Sequence, residues 1–109
     1  MIFVTGGSGF IGSNYIIRTL GNTNEKILNI DKLTYAGNAI SLDQFRDNPC
    51  YHFAQIDVCD KDMLIDAFDH FRPDAVIHFA AESHVDRSIN SPETFIKTNI
   101  VGTYTLLEV

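Results

Sequence analysis

The sequence predicts an α/β fold, the first half of a doubly wound parallel sheet with strand order 3-2-1-4 and flanking helices. Three observations carry this. Short β-branched runs alternate with longer segments of helical spacing, the connections are short enough to demand right-handed crossovers, and a loop of three glycines separates the first strand from the first helix.

"MIFVT" (1–5) reads as a buried strand, and residues 10–20 carry Phe10, Ile11, Tyr15, Ile16, Ile17 and Leu20 without a breaker, which predicts a helix. "KILNID" (26–31) and "YHFAQID" (51–57) are the second and third strands. The polar stretch between them holds Gly37 and Pro49 and admits only a short helix around 40–46. Asp60 then stands as an N-cap before Met63, Leu64, Ala67, Phe68 and Phe71, which share one helical face. "DAVIHFAA" (74–81) is the fourth strand, apolar on both parities as a central parallel strand covered by helices on both sides should be. Ser91-Pro92-Glu93 opens the last helix, with Pro in the first turn and an acid at the positive dipole end. Ile96, Ile100, Thr103 and Leu107 recur along it up to Val109. A complete sheet of this kind has two or more further strands. Residues 1–109 are therefore expected to form one incomplete half-domain, without the C-terminal half or a substrate domain.

Composition narrows the function. At 45% apolar and 20% charged the chain is an ordinary globular one. A net charge of -6 gives no electrostatic reason to expect nucleic acid or an anionic membrane as partner. Any phosphate must then be held by local backbone dipoles. No run is long enough to span a bilayer, Met1 leads straight into a strand, and Cys50 and Cys59 match no metal or redox spacing. A cytoplasmic location with free thiols is expected.

The loop "TGGSGFIG" is where chemistry enters. Gly6 suits a tight turn, Gly9 a close approach of backbone to pyrophosphate, and Gly12 the near contact of helix and sheet. The following helix adds unpaired N–H groups and a positive dipole end. Asp31 closes the second strand, 19 residues past Gly12, where a carboxylate accepts hydrogen bonds from a ribose 2′-hydroxyl and repels a 2′-phosphate. NAD is thus favoured over NADP. The spacing G-x-x-G-x-x-G, preceded by Thr5 and with Phe10-Ile11 before the last glycine, is that of the extended branch of the short-chain dehydrogenase/reductases.

Over its whole length the chain resembles the N-terminal portion of the dTDP-glucose 4,6-dehydratases of that branch, through "TGGSGFIGSN", "NIDKLTYAGN", "HFAAESHVDRSI" and "TNIVGTYTLLEV". The resemblance implies a Rossmann fold that binds NAD, a nucleotide-sugar substrate (dTDP-glucose), and a homodimer for the full-length protein. It also implies positions. Phe10 and Ile11 place backbone at the pyrophosphate, while Asp31, Lys32, Leu33 and Thr34 surround the adenosine ribose. Asp57 and Val58 meet the adenine, the former through its carboxylate. Phe79, Ala80, Ala81, Glu82 and Ser83 run beneath the nicotinamide half, Ser83 also reaches the sugar, and Thr98 touches the cofactor.

The family's mechanism, so implied, takes a proton from the sugar C4 hydroxyl with a Tyr of a Y-x-x-x-K motif, passes hydride to NAD, eliminates water with an Asp/Glu pair, and returns hydride to C6. None of Tyr15, Tyr35, Tyr51 and Tyr104 has Lys four residues later, and the Thr-Asp-Glu segment is missing. No catalytic residue and no metal ligand is therefore assigned, and the chain alone is expected to be inactive. Two alternatives stay open: a nucleotide-sugar 4-epimerase or decarboxylase of the same branch, and a non-catalytic NAD-binding module. His52, His70 and His78 read as structural, whereas His84 at the crevice mouth is a candidate contact for cofactor or sugar. Asp86 and Arg87 read as a local ion pair ordering a loop, and Asp60, Asp62 and Asp66 as a cap and solvated helix positions. Tyr35 and Asn38 either shape the adenine pocket or form an ordinary turn.

Overall fold

The computed structural model describes residues 1–34, 39–83 and 85–109, with residues 39–41 and 85–87 described in their backbone alone. Tyr35, Asn38 and His84 lie outside the described residues, as do the side chains of Asp86 and Arg87. Four parallel strands, β1 (Ile2–Thr5), β2 (Ile27–Ile30), β3 (Tyr51–Ala54) and β4 (Ala75–His78), form one sheet in the order β3-β2-β1-β4. Helix α1 (Phe10–Asn22) follows β1, a 3-10 helix (Ala39–Phe45) precedes β3, and α2 (Lys61–Phe71) links β3 to β4. Then come α3 (Val85–Asn90), α4 (Pro92–Ile96), a π-helical stretch over Lys97–Gly102, and α5 (Thr103–Glu108).

Strand parity divides the core. Phe3, Leu28 and Ile30 point to one face, where Leu64 and Ala67 of α2 complete a cluster bordered by Phe68, Phe71 and Leu106. Val4 and Ile27 point to the other, against Ile16 and Leu20 of α1 and Leu42 of the 3-10 helix. Phe3 meets Phe68 edge-on with ring centroids 4.9 Å apart, a favoured aromatic geometry. Asp60 caps α2 as its position predicts, its carboxylate accepting from the Met63 N–H at 3.2 Å.

Four expectations need correction. Residues 85–90, read as loop, form α3, which stops before Pro92 because a residue preceding proline is pushed out of the helical region. The fourth strand is not covered on both faces: Ala75 and Val76 are exposed, β4 being the outer strand on its side among the described residues. The last helix turns the opposite face inward from the one its apolar spacing suggests. Ile96, Ile100 and Leu107 are exposed, while Thr98, Gly102 and Thr105 are buried. Finally, Met63 is exposed instead of joining the buried face of its helix.

Candidate functional site

At the C-terminal ends of the strands lies a cavity of about 440 Å³, within the range of small-ligand and cofactor sites. The glycine loop forms one wall. Gly6 has φ +68°, a conformation glycine adopts freely, and a Cβ there would lie 2.6 Å from the Ala80 nitrogen. At Gly12 a Cβ would come within 2.3 Å of the Gly6 carbonyl oxygen, so the close contact is between helix and loop backbone rather than sheet. Gly9 differs, since a Cβ there would meet only the Gly6 oxygen, at 3.3 Å. The packing demand at position 9 is the mildest of the three, a contact that a shift of a few tenths of an ångström would relieve, and Gly9 lines the cavity.

Gly9 is also the N-cap of α1, which has no side-chain cap and no acidic residue in its first turn. The orphan N–H groups of the first turn and the dipole end thus remain available to an anion at the cavity wall. Phe10 and Ile11, which line the cavity, are 84% and 65% exposed, so this helix end lies open to an incoming ligand.

Asp31, just after β2, accepts the Ser8 N–H at 2.9 Å through one oxygen and the Leu33 N–H at 2.8 Å through the other. Each oxygen keeps a second lone pair, so the carboxylate retains acceptor capacity toward the cavity. Lys32 lies between the tips of three strands: its ammonium is 3.8 Å from Asp57, 3.8 Å from the buried carboxylate of Glu82, and donates to Thr98 Oγ1 at 3.5 Å. The positive charge beside Asp31 is thereby compensated within the chain.

A second wall comprises Phe79, Ala80, Ala81, Glu82 and Ser83, with Val58 and Thr98 also lining the cavity, and it meets the glycine loop where Ala80 lies against Gly6. Every residue expected at the cofactor lines the cavity except Leu33 and Asp57, and Ile30 and Ile56 join them. Leu33 adopts φ 57° and contributes its N–H to Asp31. Asp57 accepts the Cys59 N–H at 2.8 Å and faces a shallow neighbouring cleft with Cys59, Asp60 and Lys97. Burial and the adjacent Asp57 push the Cys59 thiol pKa up, so it is no activated nucleophile; both cysteines are free.

Sequence reasoning missed several residues that hold the site. Ser8 is buried and accepts from Asn29 Nδ2 at 3.1 Å; Asn29, in the middle of β2, also donates to the Tyr51 hydroxyl at 3.2 Å. Gly7 packs against Asn29 and leaves no room for a Cβ. A polar Asn inside an apolar strand was the available signal. Asn99 clamps the Glu82 backbone at both ends of its amide, accepting at 2.8 Å and donating at 3.0 Å. Its signal was weaker, because a polar residue on a helix more often faces water. His52 and His70 neighbour Phe71, in keeping with structural roles. Among the described residues no group of His, Cys, Asp and Glu could hold a metal ion, and no helix is long and apolar enough to cross a membrane.

Comparison with known proteins places this geometry in a family. The family model of GDP-mannose 4,6-dehydratases matches residues 3–109. A dTDP-glucose 4,6-dehydratase of Neisseria meningitidis is 58% identical over 107 residues, 98% of this chain and 30% of the relative. That of Escherichia coli is 54% identical over 107 residues, again 98% of this chain and 30% of the relative. Among solved structures, a double mutant of the Streptomyces venezuelae dTDP-glucose 4,6-dehydratase with NAD bound superposes with TM-score 0.92 at 40% identity, covering 99% of this chain and 34% of that one. The Campylobacter jejuni UDP-Glc/GlcNAc 4-epimerase gives 0.88 at 30% identity, over 98% and 32%. This chain thus spans about 30% of the length of its curated relatives.

Proposed function

The chain belongs to the GDP-mannose 4,6-dehydratase family, and we propose that it is the NAD-binding half-domain of a dTDP-glucose 4,6-dehydratase, an NAD-dependent hydro-lyase. The observation that carries the proposal is a glycine loop running into an uncapped helix end, with Gly9 and Asp31 lining one cavity. The chemistry NAD supplies when bound is temporary storage of a hydride while dTDP-glucose becomes dTDP-4-keto-6-deoxyglucose.

In this reading Gly6, Gly9 and Gly12 with Phe10 and Ile11 bring backbone to the pyrophosphate. Asp31 accepts from the adenosine ribose and disfavours a 2′-phosphate, and Lys32, Thr34 and Val58 border the adenosine end. Phe79, Ala80, Ala81, Glu82 and Ser83, together with Thr98, orient the nicotinamide half, and Ser83 reaches toward the sugar. Leu33 and Asp57 act one step removed, by holding Asp31 and Lys32.

Proton transfer at the sugar is assigned to no residue here, so the chain binds cofactor without turning substrate over. A 4-epimerase is the second reading, supported by the similarity to the Campylobacter epimerase; "DKLTYAGN" after β2 favours the dehydratase. A homodimeric, cytoplasmic full-length protein without nucleic-acid or membrane partners completes the proposal.

Calorimetric titration with NAD and NADP tests it. NAD is expected to bind at least about tenfold more tightly, a difference of roughly 1.4 kcal/mol. Equal affinities would remove Asp31 from the ribose, and production of 4-keto-6-deoxy sugar by the 109-residue chain would refute its assignment as cofactor site alone.

A further inference from the structure

His78 sits at the end of β4, half-buried, with Thr5 of β1 on one side of its ring and Thr103 of α5 on the other. Thr5 Oγ1 is 2.6 Å from Nδ1, and Thr103 Oγ1 is 3.0 Å from Nε2. Two further hydrogen bonds decide which way the protons run. The Thr103 hydroxyl donates to the Asn99 carbonyl at 2.8 Å, and Thr5 Oγ1 accepts the Ala80 N–H at 3.3 Å.

A hydroxyl has one hydrogen. Because that of Thr103 is committed to Asn99, its oxygen must accept from His78, which puts the ring proton on Nε2. Nδ1 is then an acceptor, and the Thr5 hydroxyl donates to it. Reversing the ring tautomer would turn the Thr103 hydrogen away from Asn99. It would also leave the hydroxyl hydrogen of Thr5, whose side chain is fully buried, with no acceptor among the described residues. Only one direction therefore satisfies every group: Ala80 N–H to Thr5, Thr5 to His78, His78 to Thr103, Thr103 to Asn99.

Both ends of this chain of bonds return to the same cavity wall. Ala80 is its first donor, lying against Gly6, and Asn99 at the far end clamps Glu82. Residues 79–83 are thus tied to β1 through Thr5 and to the last helix through Thr103, with the His78 ring as the bridge. We propose that His78, as the neutral Nε2–H tautomer, is a positioning residue that sets the 79–83 wall for a dinucleotide. The ligand in this proposal rests on the NAD reading above; the tautomer does not.

Long-range proton–nitrogen NMR of the 109-residue chain with nitrogen-15 histidine reads the ring directly near pH 7. Nε2–H is expected; Nδ1–H or a doubly protonated ring overturns the proposal. Thr103→Val, isosteric but without the hydroxyl, is expected to shift the Ala80 amide resonance and weaken NAD about five- to tenfold. Thr103→Ser should restore both, since it keeps the hydroxyl. An unmoved Ala80 amide, or unchanged NAD affinity in Thr103→Val, overturns the positioning role. Failure of the unaltered chain to bind NAD sinks the NAD reading instead, and the tautomer and the Ala80 amide still decide the rest.

Discussion

The carboxylate of Asp31 accepts the backbone N–H of Ser8 at 2.9 Å, which makes the acid after β2 and the glycine loop after β1 one mechanical unit. An acid expected to read a ribose also shapes the loop proposed to cradle the phosphates. Asp31→Asn replaces one acceptor oxygen by an amide donor, leaving either Ser8 or Leu33 facing it donor to donor. Both bonds are part-buried, and leaving such a donor unpaired costs about 1 kcal/mol. NAD affinity is expected to fall tenfold or more, with a lower melting temperature even without cofactor, and titration with parallel calorimetry reads both. A variant weakened toward NAD but of unchanged stability would show that Asp31 acts on the ribose alone.

Gly9 and Gly12 should separate binding from folding. A methyl at Gly12 would meet backbone oxygen at 2.3 Å, whereas at Gly9 it would come no closer than 3.3 Å to the Gly6 oxygen. Overpacking costs about 1–3 kcal/mol, which in a domain of this size lowers the melting temperature by several degrees. Gly12→Ala should therefore melt early. Gly9→Ala should melt within about 2 °C of the parent yet lose most NAD affinity. Normal binding by Gly9→Ala would mean the loop is only a turn.

The approach of the last helix to the loop after β3 depends on Gly102, where a Cβ would lie 2.6 Å from a Val58 methyl. Gly102→Ala and Val58→Ala are each expected to destabilise, and the double variant to recover at least about 0.5 kcal/mol relative to their sum. Denaturant titration of all four proteins checks it; strict additivity would place the two residues out of contact in solution.

Burial pushes the His78 pKa below its ordinary 6.5. As pH falls from that value, the unfolded imidazole takes up a proton before the folded one does, so the unfolded state binds more protons and stability declines. Above pH 6.5 the contribution is fully present. Urea midpoints measured between about pH 7.5 and 5 should drop on the acid side, and more shallowly in His78→Gln, which has no such proton to gain. Equal slopes in the two proteins would rule out His78 as the source.

How much was legible in the sequence follows the range of the physics involved. The order of the four strands, the Asp60 cap and the glycine loop with Asp31 at its distance were readable, because periodicity, capping and tight turns are written within a few neighbouring residues. Only the tertiary structure decided which face of the last helix turns inward. Apolar spacing marks a stripe on a helix but not its partner, and the inward face carries Thr98, Gly102 and Thr105, none of which announces burial. The partners of His78 were equally invisible, since Thr5 lies 73 residues away and Thr103 lies 25 away. Ser8 and Asn29 owe their roles to the pairing of β1 with β2, which brings a loop and a strand centre together. Local chemistry announced a glycine turn at a helix start; the packing of distant polar side chains built the walls around it.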